Sequence, residues 1–167
     1  MPSRMPRAQF VERFGDIFEH TPIIAEIAYR NGLTEAHDSA DGLHGALVKA
    51  VRALTEEQKL ALIKAHPDLA GRLALAKQLT DDSTKEQGSV GLDKLTPDEL
   101  ASFTDYNTRY MSRFGFPFIF AVKGKTKADI LASFKARINN DRDTEFKTAL
   151  DQIEQIALLR LKDRLPK

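Results

Sequence analysis

Cysteine is absent from the 167 residues, which excludes disulfides, thiolate metal sites and a cysteine nucleophile together. A charge excess is lacking too: 25 Lys and Arg stand against 24 Asp and Glu, and the basic residues are scattered rather than gathered in one block. Nucleic acid and anionic membrane are therefore poor candidates for partners. No window approaches the roughly 20 apolar residues of a membrane span, and Met1 to Arg13 is polar and basic without the apolar centre of a signal peptide. The closing Arg164-Leu165-Pro166-Lys167 is not a peroxisomal Ser-Lys-Leu type ending. A soluble, unexported, cytoplasmic protein is the expectation.

Several catalytic signatures are missing as well. His20, His37, His44 and His66 form no His-x-x-x-His pair and have no ligand spacing with nearby carboxylates, so no metal site is expected. Neither Gly-x-Ser-x-Gly nor the alternating strands of a serine hydrolase occur. Gly88-Ser89-Val90-Gly91 lacks the Lys-Ser/Thr and the preceding strand of a phosphate loop.

What the chain has is helical periodicity. Phe10, Val11, Phe14, Ile17 and Phe18 predict a first helix entered at Pro6. Thr21-Pro22 supplies an N-cap and first-turn proline for a short helix through Ile23, Ile24, Ile27 and Ala28, closed by Asn31-Gly32. Leu43, Leu47, Ala50, Val51 and Leu54 keep the period, with His44 beside the stripe, and Thr55 to Gln58 is a capping box that opens the next helix. Leu73 to Leu79 can form another helical piece, and Ser83 with Glu86 caps a short turn. Thr96-Pro97-Asp98-Glu99 combines every start signal for a helix through Phe103, Asn107, Tyr110 and Phe114 that stops at Gly115. Phe116 to Val122 has no helical period and contains Pro117, which reads as extended and buried. Thr126 to Asp129 starts a helix ending at Asn139-Asn140, and a last one begins near Asp143 or Thr144, with Phe146, Leu150, Ile153, Ala157, Arg160 and Arg164 on one stripe. The expectation is an all-α fold over residues 1–167, a single compact domain of seven or eight helices with one buried extended segment at 116–122.

The candidate chemistry starts at His66-Pro67-Asp68-Leu69-Ala70-Gly71. Proline clashes with a helical conformation at the residue before it, so the helix carrying Leu60 and Ile63 ends at or near His66. A helix C-terminus favours the protonated imidazole, which suits a proton donor. Taken alone, the hexapeptide favours a histidine that caps the helix and does nothing more. Three features stand beside it: the Ser83-Glu86-Gln87 turn, the apolar Phe118 to Val122 run, and Arg160. Ser83 and Glu86 can cap one another and also serve a ligand, and Gln87 fits a solvated turn. The Phe-Pro-Phe run fits a core as well as a ligand wall. A guanidinium on an apolar stripe needs acceptors to be buried, either an internal carboxylate or that of a substrate.

Four blocks together resemble one family: His66 to Gly71, Ser83-Thr84-Lys85-Glu86-Gln87 with Gly91-Leu92, Phe114-Gly115-Phe116-Pro117-Phe118-Ile119, and Ile156-Ala157-Leu158-Leu159-Arg160-Leu161. That family is the decarboxylases of 2-oxo-4-hydroxy-4-carboxy-5-ureidoimidazoline (OHCU), an intermediate of urate breakdown, and the resemblance runs from Phe10 to about Leu165. It implies conversion of OHCU to (S)-allantoin and carbon dioxide, no cofactor, and a homodimer. It also implies His66 as catalytic acid and Glu86 as its partner carboxylate. Pro67, Ser83, Thr84, Lys85, Gln87, the backbone of Phe118, Ile119, Phe120, Ala121 and Val122, and Arg160 would line the substrate.

The residues suit that chemistry. The electron pair left by departing carbon dioxide is absorbed by the neighbouring ring C=N bond, so no pyridoxal phosphate or metal is needed as an electron sink. The protein's task is placement, apolar walls that withhold water, and one directed proton. A noncatalytic helical module that binds a ureide or a partner helix is the alternative, and a ureide hydrolase using His66 and Glu86 on water is a third.

Overall fold

The computed structural model describes residues 1–66, 96–121 and 125–165. These hold seven α-helices and no strand: α1 Arg7–Phe14, α2 Ile23–Arg30, α3 Ala40–Arg52, α4 Glu56–Ala65, α5 Pro97–Phe114, α6 Lys127–Arg137 and α7 Arg142–Arg164, with short 3-10 turns at Pro2–Arg4 and Glu35–Asp38. The all-α expectation holds. The helical piece expected over 73–79 and the turn at 83 lie outside the described residues. Among the described residues no helix is long and apolar enough to cross a membrane.

The chain divides into two units, Met1–Ala65 with Ile153–Lys167, and His66–Gln152. In the first, Phe10, Phe14, Ile24, Leu43, Leu47, Val51, Ala157 and Leu161 are buried. Helix α1 ends at Phe14, before Ile17 and Phe18, which the periodicity had placed on it. Both are still buried, but from the following turn, where the peptide groups of Gly15 and Ile17 close on Val11 and Phe14 at 2.7 and 3.3 Å. A 3.6-residue spacing cannot distinguish a helix from a tight turn that happens to return the same side chains inward. Thr21 does not cap α2 either: Pro22 occupies the N-cap position, and the Thr21 hydroxyl donates to the Glu19 carbonyl at 2.7 Å.

In the second unit the reciprocal cap signals are realised as read. The Thr96 hydroxyl accepts from Glu99 N–H at 3.2 Å while the Glu99 carboxylate accepts from Thr96 N–H at 2.9 Å, and Thr126 with Asp129 repeats the pattern at 3.1 and 2.9 Å. Helix α5 stops at Gly115, whose φ of 78° is open to glycine and strained for residues with a Cβ. Beyond it, Phe116 to Ile119 and Ala121 are buried and neither helical nor in a strand, as expected as far as the described chain reaches. Helix α7 starts at Arg142, slightly earlier than read, because Asp141 is the cap and accepts from Thr144 N–H at 2.8 Å. Its buried face is also rotated from the expected stripe: Glu145, Ala149, Ile153, Ala157 and Arg160 are buried, whereas Phe146, Leu150 and Arg164 are half-exposed.

Replacing Thr96 by Ala removes the hydroxyl that accepts from Glu99 N–H and should cost about 1 kcal/mol, seen as a melting temperature lower by about 2–4 °C. An unchanged melting temperature refutes the role given to this cap. The Glu99 carboxyl is held below its ordinary range, first by the Thr96 peptide N–H and then by Lys127, and Asp129 and Asp141 are lowered by the peptide groups they cap. A lowered folded-state value contributes stability that is complete above the ordinary carboxyl value of about 4 and is lost as pH falls through the lowered one. The urea midpoint should therefore fall on acidification below about pH 4, less steeply in Glu99→Gln.

Candidate functional site

Helix α4 ends at Ala65, and His66 follows it directly with 5% of its surface exposed. The proline-imposed stop is thus seen where it was expected. A histidine this enclosed differs from a solvated cap, because its ring is withdrawn from bulk water.

The irregular segment of the second unit is built around aromatic stacking and two polar tethers. The Phe118 ring stacks on Phe134 of α6 at 3.8 Å between centroids and meets Tyr110 of α5 edge-on at 5.2 Å. The Arg137 guanidinium lies 4.3 Å from the Phe118 ring centre and donates to the Ile119 carbonyl at 2.6 Å. Two residues on, Ala121 N–H donates to the Gln152 side-chain oxygen at 2.8 Å. An irregular segment cannot satisfy its backbone in a ladder, so side chains must do so where it is buried.

Arg137 is itself 7% exposed and needs a counter-charge. Glu145 supplies it, its carboxylate accepting from Arg137 Nε at 2.9 Å, from the Tyr110 hydroxyl at 2.5 Å and from Asn140 at 2.8 Å. Burial first, and the bond to Glu145 second, push the Tyr110 phenol far above its ordinary value, so it stays a donor. Arg137 and Glu145 escaped the sequence reading, although a signal was there. Arg137 continues the apolar stripe of Ile130 and Phe134 at helical spacing, the same oddity that singled out Arg160.

Arg160 belongs to the first unit and is 2% exposed. Its Nη1 donates to the Ile17 carbonyl at 2.9 Å, and its Nη2 to the carboxylate of Glu19 at 3.1 Å. Of the two acceptors the sequence left open, the internal carboxylate is present. Glu19 was missed because it sits in the turn after α1, where no periodicity relates it to α7. His66, Phe118, Ile119, Phe120 and Ala121 belong to the second unit, while Pro67, Ser83, Thr84, Lys85, Glu86, Gln87 and Val122 lie outside the described residues.

Fold and site together define a class: an α-helical domain with a buried histidine after a helix end and a buried irregular apolar segment, a combination suited to proton delivery in a dry environment. The model of the OHCU decarboxylase family matches residues 3–162, and the chain belongs to that family, whose members are carboxy-lyases. It is 40% identical over 162 residues to the OHCU decarboxylase of Haloferax volcanii, covering 97% of this chain and 92% of the relative. It is 42% identical over 161 residues to the uric acid degradation bifunctional protein PucL of Bacillus subtilis, covering 96% of this chain and 31% of that one. Among solved structures it is similar to an (S)-allantoin synthase, with a TM-score of 0.77 and 30% identity over 98% of this chain and 52% of the other, so it spans about half of that molecule's length.

Removing Glu19 while leaving Arg160 takes a carboxylate from a buried guanidinium, which should cost about 3–5 kcal/mol in Glu19→Ala. Glu19→Gln, which keeps an acceptor oxygen, should lose less. Equal urea midpoints for the two variants would show that the carboxylate charge is not what Arg160 requires.

Proposed function

We propose that this chain converts OHCU to (S)-allantoin and carbon dioxide without a cofactor, as the last step from urate to allantoin, and that residues 1–167 act as one domain in a cytoplasmic homodimer. The observation that carries the reading is the family match across residues 3–162, a range that includes all four sequence blocks. The buried His66 supports it chemically, since a proton donor to carbon works best where water cannot compete.

In this reaction the bond from the ring carbon to its carboxyl group breaks and carbon dioxide leaves. The electron pair forms a C=C bond to the neighbouring ring carbon while the C=N pair moves onto the ring nitrogen, which takes up a proton from solvent; the ring hydroxyl then gives up its proton as a carbonyl forms, and a proton is added to that neighbouring carbon. His66 delivers that last proton to one face and so fixes the S configuration, with Glu86 orienting the imidazole or accepting the hydroxyl proton. Ser83, Thr84, Lys85 and Gln87 supply polar groups to the ureido side, Pro67 and the Phe118 to Val122 segment form the wall, and Arg160 adds a cation held in place by Glu19. Apolar walls keep the departing carboxylate poorly solvated, which favours its loss as neutral carbon dioxide.

The test generates OHCU from urate in place and follows circular dichroism and carbon dioxide release with and without the protein. Acceleration of (S)-allantoin formation with stoichiometric carbon dioxide is expected; allantoin no faster than the spontaneous rate defeats the reading, and ureide cleavage without carbon dioxide identifies a hydrolase instead. His66→Asn should lose turnover by at least the roughly 100-fold ascribed to a positioned acid while keeping its helical spectrum. Full activity in that variant removes His66 from the mechanism.

A further inference from the structure

The proposed activity leaves without a role two side chains, one from α6 and one from α7, that bond to the irregular segment. Arg137 holds the Ile119 carbonyl at 2.6 Å, and Gln152 holds the Ala121 N–H at 2.8 Å. The Ile119 carbonyl and the Ala121 N–H are thus both taken up by side chains of the fold, on either side of Phe120. Among the described residues neither the N–H nor the carbonyl of Phe120 has a hydrogen-bond partner. One donor and one acceptor presented side by side match an amide or ureide edge.

We infer that Arg137 and Gln152 are positioning residues: by bonding to the 119–121 backbone they fix its register and aim the Phe120 peptide groups at the cyclic ureide of the substrate. This rests on the proposed OHCU reading. The support for Arg137 is itself rigid, because Glu145 receives its Nε, Tyr110 receives its Nη2 at 3.4 Å, and the Phe118 ring lies under the guanidinium. A planar guanidinium can bond the carbonyl and the carboxylate while lying over the ring, a combination the single ammonium of lysine does not reproduce.

Two variants test the inference, Arg137→Lys and the milder Gln152→Met, each compared with the parent for melting temperature, amide hydrogen exchange at 118–121, and KM and kcat with OHCU generated in place. The expected result is a KM raised about tenfold with kcat changed by less than about threefold, since groups that hold ground and transition states alike affect KM alone. Exchange at 118–121 should accelerate while the rest of each variant keeps its protection. A merely structural role would lower the melting temperature and leave KM of the folded variant unchanged, and that result overturns the inference. Should Arg137→Lys fail to fold, Gln152→Met decides alone, and a parental KM in that variant also overturns it. A parent chain without turnover defeats the activity reading and this inference with it, whereas an active parent with indifferent variants defeats only the inference.

Discussion

Two buried ion pairs on one helix face set the terms for the rest of the molecule. Glu145 near the start of α7 and Arg160 near its end lie fifteen residues apart on the same inward stripe, and both are almost fully enclosed. An unpaired charge in such surroundings is several kcal/mol unfavourable, and even a paired one gains little over a hydrophobic replacement. Each pair therefore has to be completed by residues brought from elsewhere: Arg137 from the end of α6 for Glu145, and Glu19 from the turn after α1 for Arg160. The conformations of those partner segments follow from the requirement. The chain leaves α1 at Phe14 so that the Ile17 carbonyl and Glu19 can both meet one guanidinium.

The same constraint explains why a buried segment without regular structure is tolerated. Phe116 to Ala121 forgoes helix and ladder bonds, and burial of bare peptide groups is costly unless side chains meet them. Arg137 can spend one donor on the Ile119 carbonyl because Glu145 already neutralises its charge, and the phenol of Tyr110, kept protonated by burial and by Glu145, closes the network. Aromatic packing then fixes the side chains: Phe118 stacks on Phe134 and packs against the guanidinium. One set of bonds thus neutralises the buried charges and satisfies the backbone of the irregular segment.

Legibility in the sequence followed the range of the interaction. Most local devices were readable because their parts lie within four residues: the boxes at Thr55 and Thr96, the helix start at Thr126, the glycine stop at 115, and the proline-enforced end of α4 at His66, the exception being Thr21-Pro22, where the proline itself takes the cap position. Helix ends without such a device were misread, as at Ile17 and Phe18, where periodicity persists through a turn. Pairings between distant elements were invisible in identity but not in need. A guanidinium on an apolar stripe announces that an acceptor exists, as Arg160 did and as Arg137 does on the stripe of Ile130 and Phe134; nothing in the stripe names Glu19 or Glu145. The first turns of the α7 face were read one residue off because Phe146 and Leu150 are more apolar than Glu145 and Ala149, and hydrophobicity alone cannot anticipate that a glutamate is drawn inward by its partners.

That last error bears on how a site of this kind can be found. A search for apolar stripes discards the charged positions, yet in this protein the charged positions of the buried faces are the ones that hold the irregular segment and the arginine matching the family's fourth block. A buried charge is retained against its own desolvation cost only where its removal would cost more, either in stranding a partner or in losing a geometry. Glu145 and Arg137 do the first for each other and the second for the 118–121 backbone. Such internal anchors hold a buried irregular segment in place where neither a helix nor a sheet does so.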